Sequence, residues 1–422
     1  MKLITADVLT GLAMLPDESV QCVVTSPPYW GLRDYGVSGQ IGLEPTIEEF
    51  VGKMVEVFRE VRRVLRKDGV LFLNLGDSYC GSGGAGGDYN EGGLKAGQPK
   101  FPGRGSKGIR GGSPKHAGGT LEDQPNRYPQ ANLKAKDMCG IPWRVALALQ
   151  ADGWYLRSDI IWAKGNPMPQ SVTDRPSTSH EYIFLLTKSA KYYFDAEAIR
   201  EPVSGTANLR GKKDGTAPSM TFKMQEPGRG NRNNSSFQSY MKDLPPENGR
   251  NCRSVWHINS APFPGSHFAT FPTKLVRRCV AAGTSEKGCC PSCGASWKRM
   301  VEKSGGRDWR QDKMVQKGIP DELSGEGAYK RGQSATPLND TQQSTTTGWT
   351  PTCTCNAKEP IPCTVLDPFS GAGTTALVAA KLGRDAIGIE LNPEYVEMSR
   401  KRIAGELGML CEIEVLKGDH HQ

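Results

Sequence analysis

The stretch Val365-Leu366-Asp367-Pro368-Phe369-Ser370-Gly371-Ala372-Gly373-Thr374-Thr375 decides the fold of this 422-residue chain. An apolar run ends on an acidic residue, a glycine-bearing turn follows, and residues 376–382 then carry helix formers. Glycine in such a turn lets backbone approach a ligand closely, and the helix N-terminus adds N–H donors. A dinucleotide fingerprint needs a third glycine, and a P-loop needs Gly-Lys before its Ser or Thr. The segment has neither, so pyrophosphate is not the expected ligand. A second acidic residue closes the next strand, Ala386-Ile387-Gly388-Ile389-Glu390. A strand-end carboxylate about twenty residues on is the usual partner of ribose hydroxyls. The ligand expected here is an adenosine whose attached group is not a phosphate chain.

Working outward, residues 364–403 read as strand, loop, helix, strand and helix. The same alternation opens the chain. Residues 21–25 and 70–75 read as short buried strands, and between them Phe50, Met54, Val57, Phe58, Val61, Val64 and Leu65 recur at helical spacing over 47–65. It returns over 142–199, with a helix near 143–151 and strands near 158–162 and 182–187. Such a pattern predicts a parallel sheet flanked by helices, two pieces of which lie at opposite ends of the sequence. One α/β domain interrupted by three loop-rich insertions accounts for it. The first insertion, 79–136, reads as a mobile loop with nine basic residues against three acidic from 91 to 136. The second, 201–253, is also basic. The third, 282–362, contains paired cysteines.

Composition bounds the function classes. Glycine supplies 50 of the 422 residues against a usual share of about 7%, in keeping with long loops. The net charge of +8 suits a polyanionic partner without requiring one. No run approaches the roughly 18 apolar residues that span a membrane. Met1-Lys2-Leu3-Ile4-Thr5-Ala6-Asp7 meets an acidic residue before any signal-like run develops. A cytoplasmic location without membrane contact is expected, where disulfides are rare. The twelve cysteines are then core fillers, metal ligands or nucleophiles. Cys22, Cys80, Cys139, Cys252, Cys279 and Cys411 stand alone and read as small buried hydrophobes.

The second telling segment is Cys22-Val23-Val24-Thr25-Ser26-Pro27-Pro28-Tyr29-Trp30. Two prolines stiffen the turn after a buried strand and donate no backbone hydrogen bond. A short hydroxyl, rigid carbonyls and an aromatic face are held together, which suits gripping a planar heterocycle by its amino edge. A Pro-Pro turn is also an ordinary strand terminator, and Trp30 reads equally as platform or as core. With both loops in one chain, the sequence resembles the amino-methylating DNA methyltransferases of the permuted (β) order, in which the catalytic loop precedes the cofactor loop. The matching pieces are V-V-T-S-P-P-Y at 23–29, D-P-F-S-G-A-G-T-T at 367–375 and L-G-R-D-A-I-G-I-E at 382–390. Asp7 resembles the family's acidic contact to cofactor adenosine. His267-Phe268-Ala269-Thr270-Phe271-Pro272 resembles the element cradling the methionine end. Trp162, Arg175, His180-Glu181-Tyr182 and Tyr192-Tyr193-Phe194-Asp195 also recur in relatives, and the three insertions stay unmatched.

The resemblance implies an α/β, Rossmann-like methyltransferase sheet in permuted motif order, to which composition and cysteine spacing add loop-rich insertions and a zinc-ribbon-like one. The implied boundaries are a catalytic half at 1–78 and 137–200, a basic Gly-rich insertion at 79–136, and a target-recognition region at 201–255. A cofactor-cradling segment follows at 256–282, then the cysteine-containing insertion at 283–362 and the cofactor-binding half at 363–422. The implied cofactor is S-adenosylmethionine, with Asp7, Thr270, Phe271, Pro272, Asp367, Phe369, Gly371, Gly373, Thr374, Glu390 and Asn392 as its candidate contacts. Ser26, Pro27, Pro28 and Tyr29 are the candidate catalytic residues. Ser26 Oγ and the Pro27 carbonyl would accept the two amino hydrogens of a base rotated out of the duplex, with Tyr29 stacked on it. Serine at the first loop position favours cytosine N4, and adenine N6 is the alternative by the same mechanism. Methylation at ring carbon 5 would need a cysteine nucleophile in a Pro-Cys turn, and Pro362-Cys363, the only such dipeptide, lies directly before the cofactor strand.

Two further features remain. Cys289-Cys290-Pro291-Ser292-Cys293-Gly294 contains the knuckle in which a turn presents two thiolates, and Cys353-Thr354-Cys355 would supply two more. Cys290, Cys293, Cys353 and Cys355 are the expected ligands of a structural zinc beside the cofactor loop, with Cys289 as substitute for Cys290; reduced, unligated cysteines are the other reading. The basic loops are expected to meet the phosphates of double-stranded DNA, with Asn231, Arg232, Asn233 and Arg250 as candidate base readers. A homodimer is a candidate assembly. Methylation of RNA or a small molecule is disfavoured by the long basic insertions. A catalytically silent zinc-ribbon DNA-binding protein would need neither loop.

Overall fold

The computed structural model describes residues 1–31, 37–80, 133–134, 136–167, 169–170, 172–202, 249–260, 271–304, 343–356, 359–408 and 412–418. The loop expectations at 79–136 and 201–253 lie almost wholly outside these ranges, as do Asn231, Arg232, Asn233, Thr270 and Cys411. In chain order the elements are β1 (Lys2–Thr5), α1 (Val8–Ala13), β2 (Val20–Thr25), α2 (Ile47–Val64), β3 (Leu65–Leu75), α3 (Ile141–Ala151), β4 (Tyr155–Ala163), β5 (His180–Thr187), β6 (Glu201–Pro202) and β7 (Gly249–Arg250). Then come β8 (Val255–His257), α4 (Thr273–Gly283), β9 (Lys298–Ser304), β10 (Gln343–Thr350), β11 (Thr364–Asp367), α5 (Thr374–Lys381), β12 (Asp385–Glu390), α6 (Pro393–Leu407) and β13 (Glu414–Lys417).

Nine strands form one sheet in the order β13-β1-β12-β11-β2-β3-β5-β4-β8. β11, from the far end of the sequence, lies between β12 and β2 and pairs in parallel with both. The outward faces follow from the period-2 alternation of strands. Val23, Leu71 and Leu73 join the core built with α1, α2 and α3. Cys22 and Val70, one residue out of phase, meet Gly283 of α4. Helices therefore cover both faces. α2 starts where Thr46 accepts the Glu49 N–H, carries Glu48 and Glu49 in its first turn and Arg62 and Arg63 in its last, which complements its dipole. Leu65, expected in that helix, is already extended and opens β3, so helix passes into strand without a loop; a register shift between Val20 and Cys22 absorbs the join.

The expectation of a parallel sheet is corrected at β5, which runs antiparallel to both β3 and β4. Among the described residues no helix lies between β4 and β5, and without a crossover element the chain must run back the way it came. β4 pairs in parallel with β8 at the edge.

The described chain forms two compact units. One comprises residues 1–195, 253–298 and 351–422, and holds the sheet. The other comprises 196–252 and 299–350, and contains the β6–β7 pair and nearly all of the β9–β10 pair. Among the described residues no helix is long and apolar enough to cross a membrane.

Candidate active site

From β11 the chain passes through α5 to β12 on one side, and from β2 it passes through α2 to β3 on the other. Strand order thus reverses between β11 and β2, where open α/β sheets form their ligand crevice. The Asp367 loop and the Ser26 loop leave the two strands that flank this point. Thr25 donates its hydroxyl to Asp367 Oδ1 at 2.7 Å, Thr375 donates to Oδ2 at 2.7 Å, and the Phe369 N–H donates to Oδ1 at 3.1 Å. Asp367 is 1% exposed, so its carboxylate braces the two loops together and presents nothing to solvent. Burial pushes its carboxyl up to about 6, against the opposing pull of those three hydrogen bonds.

Neighbouring parallel strands bring the other acidic residues to the same edge. Glu390 ends β12; its Oε2 accepts from the Gly371 N–H at 2.8 Å and its Oε1 from the Asn392 N–H at 2.9 Å. Burial raises its pKa too. Asn392 caps α6 by accepting from the Glu394 N–H. Asp7 follows β1, whose Thr5 pairs with Glu390, and caps α1 by accepting from the N–H groups of Leu9 and Thr10. Gly373 sits at φ +71°, and a Cβ there would lie 1.9 Å from Ser399 Oγ. Only glycine permits both that turn and that approach of α6. Arg402, which sequence reasoning missed, props the loop from behind, donating to the Ala372 carbonyl at 3.0 Å and the Thr374 hydroxyl at 2.9 Å.

On the β2 side the side chains form a directed hydroxyl chain. Ser26 Oγ donates to Tyr29 Oη at 3.3 Å, and Tyr29 Oη donates to Glu181 Oε2 at 2.8 Å. Glu181 is ion-paired with Lys164, whose ammonium also lies 4.6 Å above the Trp162 ring. Asn74 Nδ2 lies 2.8 Å from Tyr29 Oη, 2.9 Å from Glu181 Oε2 and 3.3 Å from Ser26 Oγ. With its own proton committed to Tyr29 and one lone pair facing the Asn74 amide, Ser26 keeps a second lone pair for an incoming donor, and the carboxylate at the far end polarises the chain. Tyr29 rests against Gly76, where a Cβ would come within 2.6 Å of Cε2. Trp30 is core, not platform: it is 1% exposed and its Nε1 donates to the Glu44 carbonyl. Asn74 left a signal in the sequence as a lone amide within the apolar run V-L-F-L-N-L. Lys164 left none.

A sequence profile of the DNA methylase family (N6_N4_Mtase) matches residues 20–290 and 363–401, which takes in both loops. The chain belongs to this DNA methylase family. Over 404 residues it is 35% identical to the type II methyltransferase M.XycI of Xanthomonas campestris pv. cyanopsidis, covering 96% of this chain and 88% of that one. The type II methyltransferase M.SmaI of Serratia marcescens is 35% identical over 402 residues, covering 95% and 90%. The solved PvuII DNA methyltransferase (cytosine-N4-specific) overlays 95% of this chain and 85% of that one at 14% identity and a TM-score of 0.45, a likeness too slight to bear on site or substrate.

The remaining candidates of this methylase are dispersed. Pro272 precedes α4 and its carbonyl accepts from the Leu275 N–H; Phe271 beside it is half-buried. Arg250, in the second unit, is paired with Glu201 at 3.6 Å. The sulfurs of Cys290, Cys293, Cys353 and Cys355 do come together, within 4.8 Å of one another. Their expected position beside the cofactor loop is corrected. Gln21 and Arg66, at the starts of β2 and β3, donate to the Gly294 and Cys293 carbonyls, so the group sits at the opposite edge of the sheet. Parallel strands place every strand start on one edge and every strand-end loop on the other. Cys289 is not in the group; its thiol faces the Pro362 carbonyl at 3.6 Å, because consecutive extended residues point to opposite sides.

Proposed function

We propose that the protein is a type II DNA methyltransferase that moves the methyl group of S-adenosylmethionine to the exocyclic amino nitrogen of a flipped base, cytosine N4 before adenine N6. The observation that carries this reading is the Ser26–Tyr29–Glu181 chain beside the glycine loop, at the one point where strand order reverses. The 35% identity to type II methyltransferases over nearly the whole chain supports the class.

The residues present fit the cofactor by the chemistry of the donor set. Residues 367–375 contain no lysine or arginine, and Asp7 and Glu390 end or follow the adjacent strands. A phosphate chain would meet negative charge here, whereas a nucleoside bearing a sulfonium and an ammonium would be attracted. When bound, S-adenosylmethionine supplies an electrophilic methyl group. The glycine loop and the N-terminus of α5 would hold its amino-acid end, Glu390 its ribose hydroxyls, and Asp7 its adenine edge.

The protein's own part is to make a poor nucleophile better. An exocyclic amino nitrogen shares its lone pair with the ring. Ser26 Oγ and the Pro27 carbonyl accept its two hydrogens, which draws the nitrogen toward tetrahedral geometry and frees the lone pair. Catalysis is then positioning and electrostatics, with no covalent enzyme intermediate. Serine at the first loop position favours the cytosine amino group, and Arg232, Asn233 and Arg250 remain the proposed contacts to double-stranded DNA. The test is incubation with radiolabelled S-adenosylmethionine and unmethylated duplex DNA, followed by nucleoside mass spectrometry. N4-methylcytosine is expected; N6-methyladenine would transfer the reading to adenine, and absence of label in DNA would overturn it.

A further inference from the structure

Methyl transfer has no use for the four cysteines at the far edge of the sheet. We propose that Cys290, Cys293, Cys353 and Cys355 bind one structural Zn2+ as thiolates and staple together the two arms of the neck of the third insertion, at the sheet edge opposite the active site. Two segments sixty residues apart bring these sulfurs within 4.8 Å of one another. Tetrahedral zinc–thiolate bonds of about 2.3 Å put sulfurs roughly 3.8 Å apart, so closing on the ion requires movements of about 1 Å. Burial of small hydrophobes does not explain the cluster, because Cys293 and Cys353 are only half-buried and Cys355 is exposed.

The surroundings are those of a ligand turn. The knuckle is closed by Gly294 N–H to Cys290 carbonyl at 2.7 Å and Cys290 N–H to Ala295 carbonyl at 2.9 Å. Thr352 Oγ1 donates to the Ser296 carbonyl at 2.8 Å, and Cys289 forms bridges to both Ser296 and Ile361, which ties the two segments independently of any ion. Four thiolates around Zn2+ leave a net charge of −2, and the Arg66 guanidinium lies against the Cys293 carbonyl. An all-sulfur set selects zinc over magnesium or calcium, and four protein ligands leave no open position for catalysis.

The chain leaves the first unit after Lys298 and returns at Pro351. The ligand pairs lie just outside these two crossings, in the first unit. Ligation there closes a sixty-residue excursion at its base and relieves the rest of the insertion of holding its own ends together.

The experiment is metal analysis of the full-length protein purified under reducing conditions without chelator. One zinc per chain is expected, as is a fall in Tm of roughly 5 °C or more when it is stripped. Cys293→Ser and Cys355→Ser should lose the metal, while Cys252→Ser, in the second unit, should keep one per chain. If the ligand variants do not fold, Co2+ exchanged into the wild-type protein should show the intense visible bands of a tetrahedral thiolate site. Zinc-free protein that takes up none on addition, disulfides among the four cysteines in freshly purified protein, or full zinc in Cys293→Ser would each overturn the proposal. Affinity for S-adenosylmethionine, measured by calorimetry on the zinc-loaded protein, reports on the active site separately.

Discussion

Asp367→Asn keeps the shape of a buried brace and removes its charge. In the folded chain the Asp367 carboxyl is pushed up to about 6 by burial, against about 3.9 when unfolded. A gap of about 2 pH units corresponds to about 3 kcal/mol. Because the folded state holds the proton more tightly, that stabilisation is complete below about pH 4 and is lost as pH rises through 6. About 1 kcal/mol of the loss falls between pH 5 and 7.5. Asparagine does not titrate, yet it preserves the hydrogen bonds. Its Oδ1 can accept from Thr25 and Phe369, and its Nδ2 can donate to Thr375, whose hydroxyl lies 3.2 Å from the Val24 carbonyl and can turn to it. Urea unfolding of both proteins without cofactor, at several pH values from 5 to 7.5, isolates the effect. Glu390, also raised by burial, titrates in both; the part of its rise that comes from the Asp367 charge is absent in the variant and acts in the same direction. The stability of the variant relative to wild type should climb by about 1 kcal/mol across the window. Parallel pH curves would refute a buried Asp367 that charges near pH 6.

Ser26→Ala should retain cofactor binding by calorimetry and lose roughly 100- to 1,000-fold in kcat, the usual cost of removing one transition-state hydrogen-bonding group; full turnover would contradict the clamp. Tyr29→Phe and Glu181→Gln each interrupt the chain from Ser26, so kcat should fall about tenfold or more in both while the Kd for cofactor holds. Unchanged kcat in the pair would make the hydroxyl chain a bystander. Gly373→Ala places a methyl group 1.9 Å from Ser399 Oγ at φ +71°, and should cost about 1–3 kcal/mol of stability as well as weaken cofactor binding; an unaltered Tm would show that the turn relaxes freely.

Much of the site was legible because its parts are local. A strand, a glycine turn and a helix are consecutive in residues 364–381, and the strand before Ser26 is consecutive with its loop, so periodicity and turn chemistry suffice to find both. Asn74 and Lys164 were not legible as partners of the clamp. Asn74 meets Glu181 across 107 positions of sequence, and that meeting exists only because β5 runs back beside β3. The direction of β5 goes with the lack of a crossover helix among the described residues between β4 and β5, which no strand pattern announces.

Two motifs at opposite ends of the chain raised the expectation only when read together: a glycine turn without phosphate-binding groups, and a stiff Ser-Pro-Pro-Tyr loop shaped to accept an amino group. Tertiary structure alone decided their relation. Insertion of β11 beside β2 places both loops at the reversal of strand order, and buries Asp367 as the brace between them. It also decided where the cysteines go, since the pairing of Cys289 with Ile361, just before β11, carries the four thiols to the other edge. Short-range pattern fixes what a segment can do, whereas strand order and direction, set by the burial of whole faces, fix which segments can do it together.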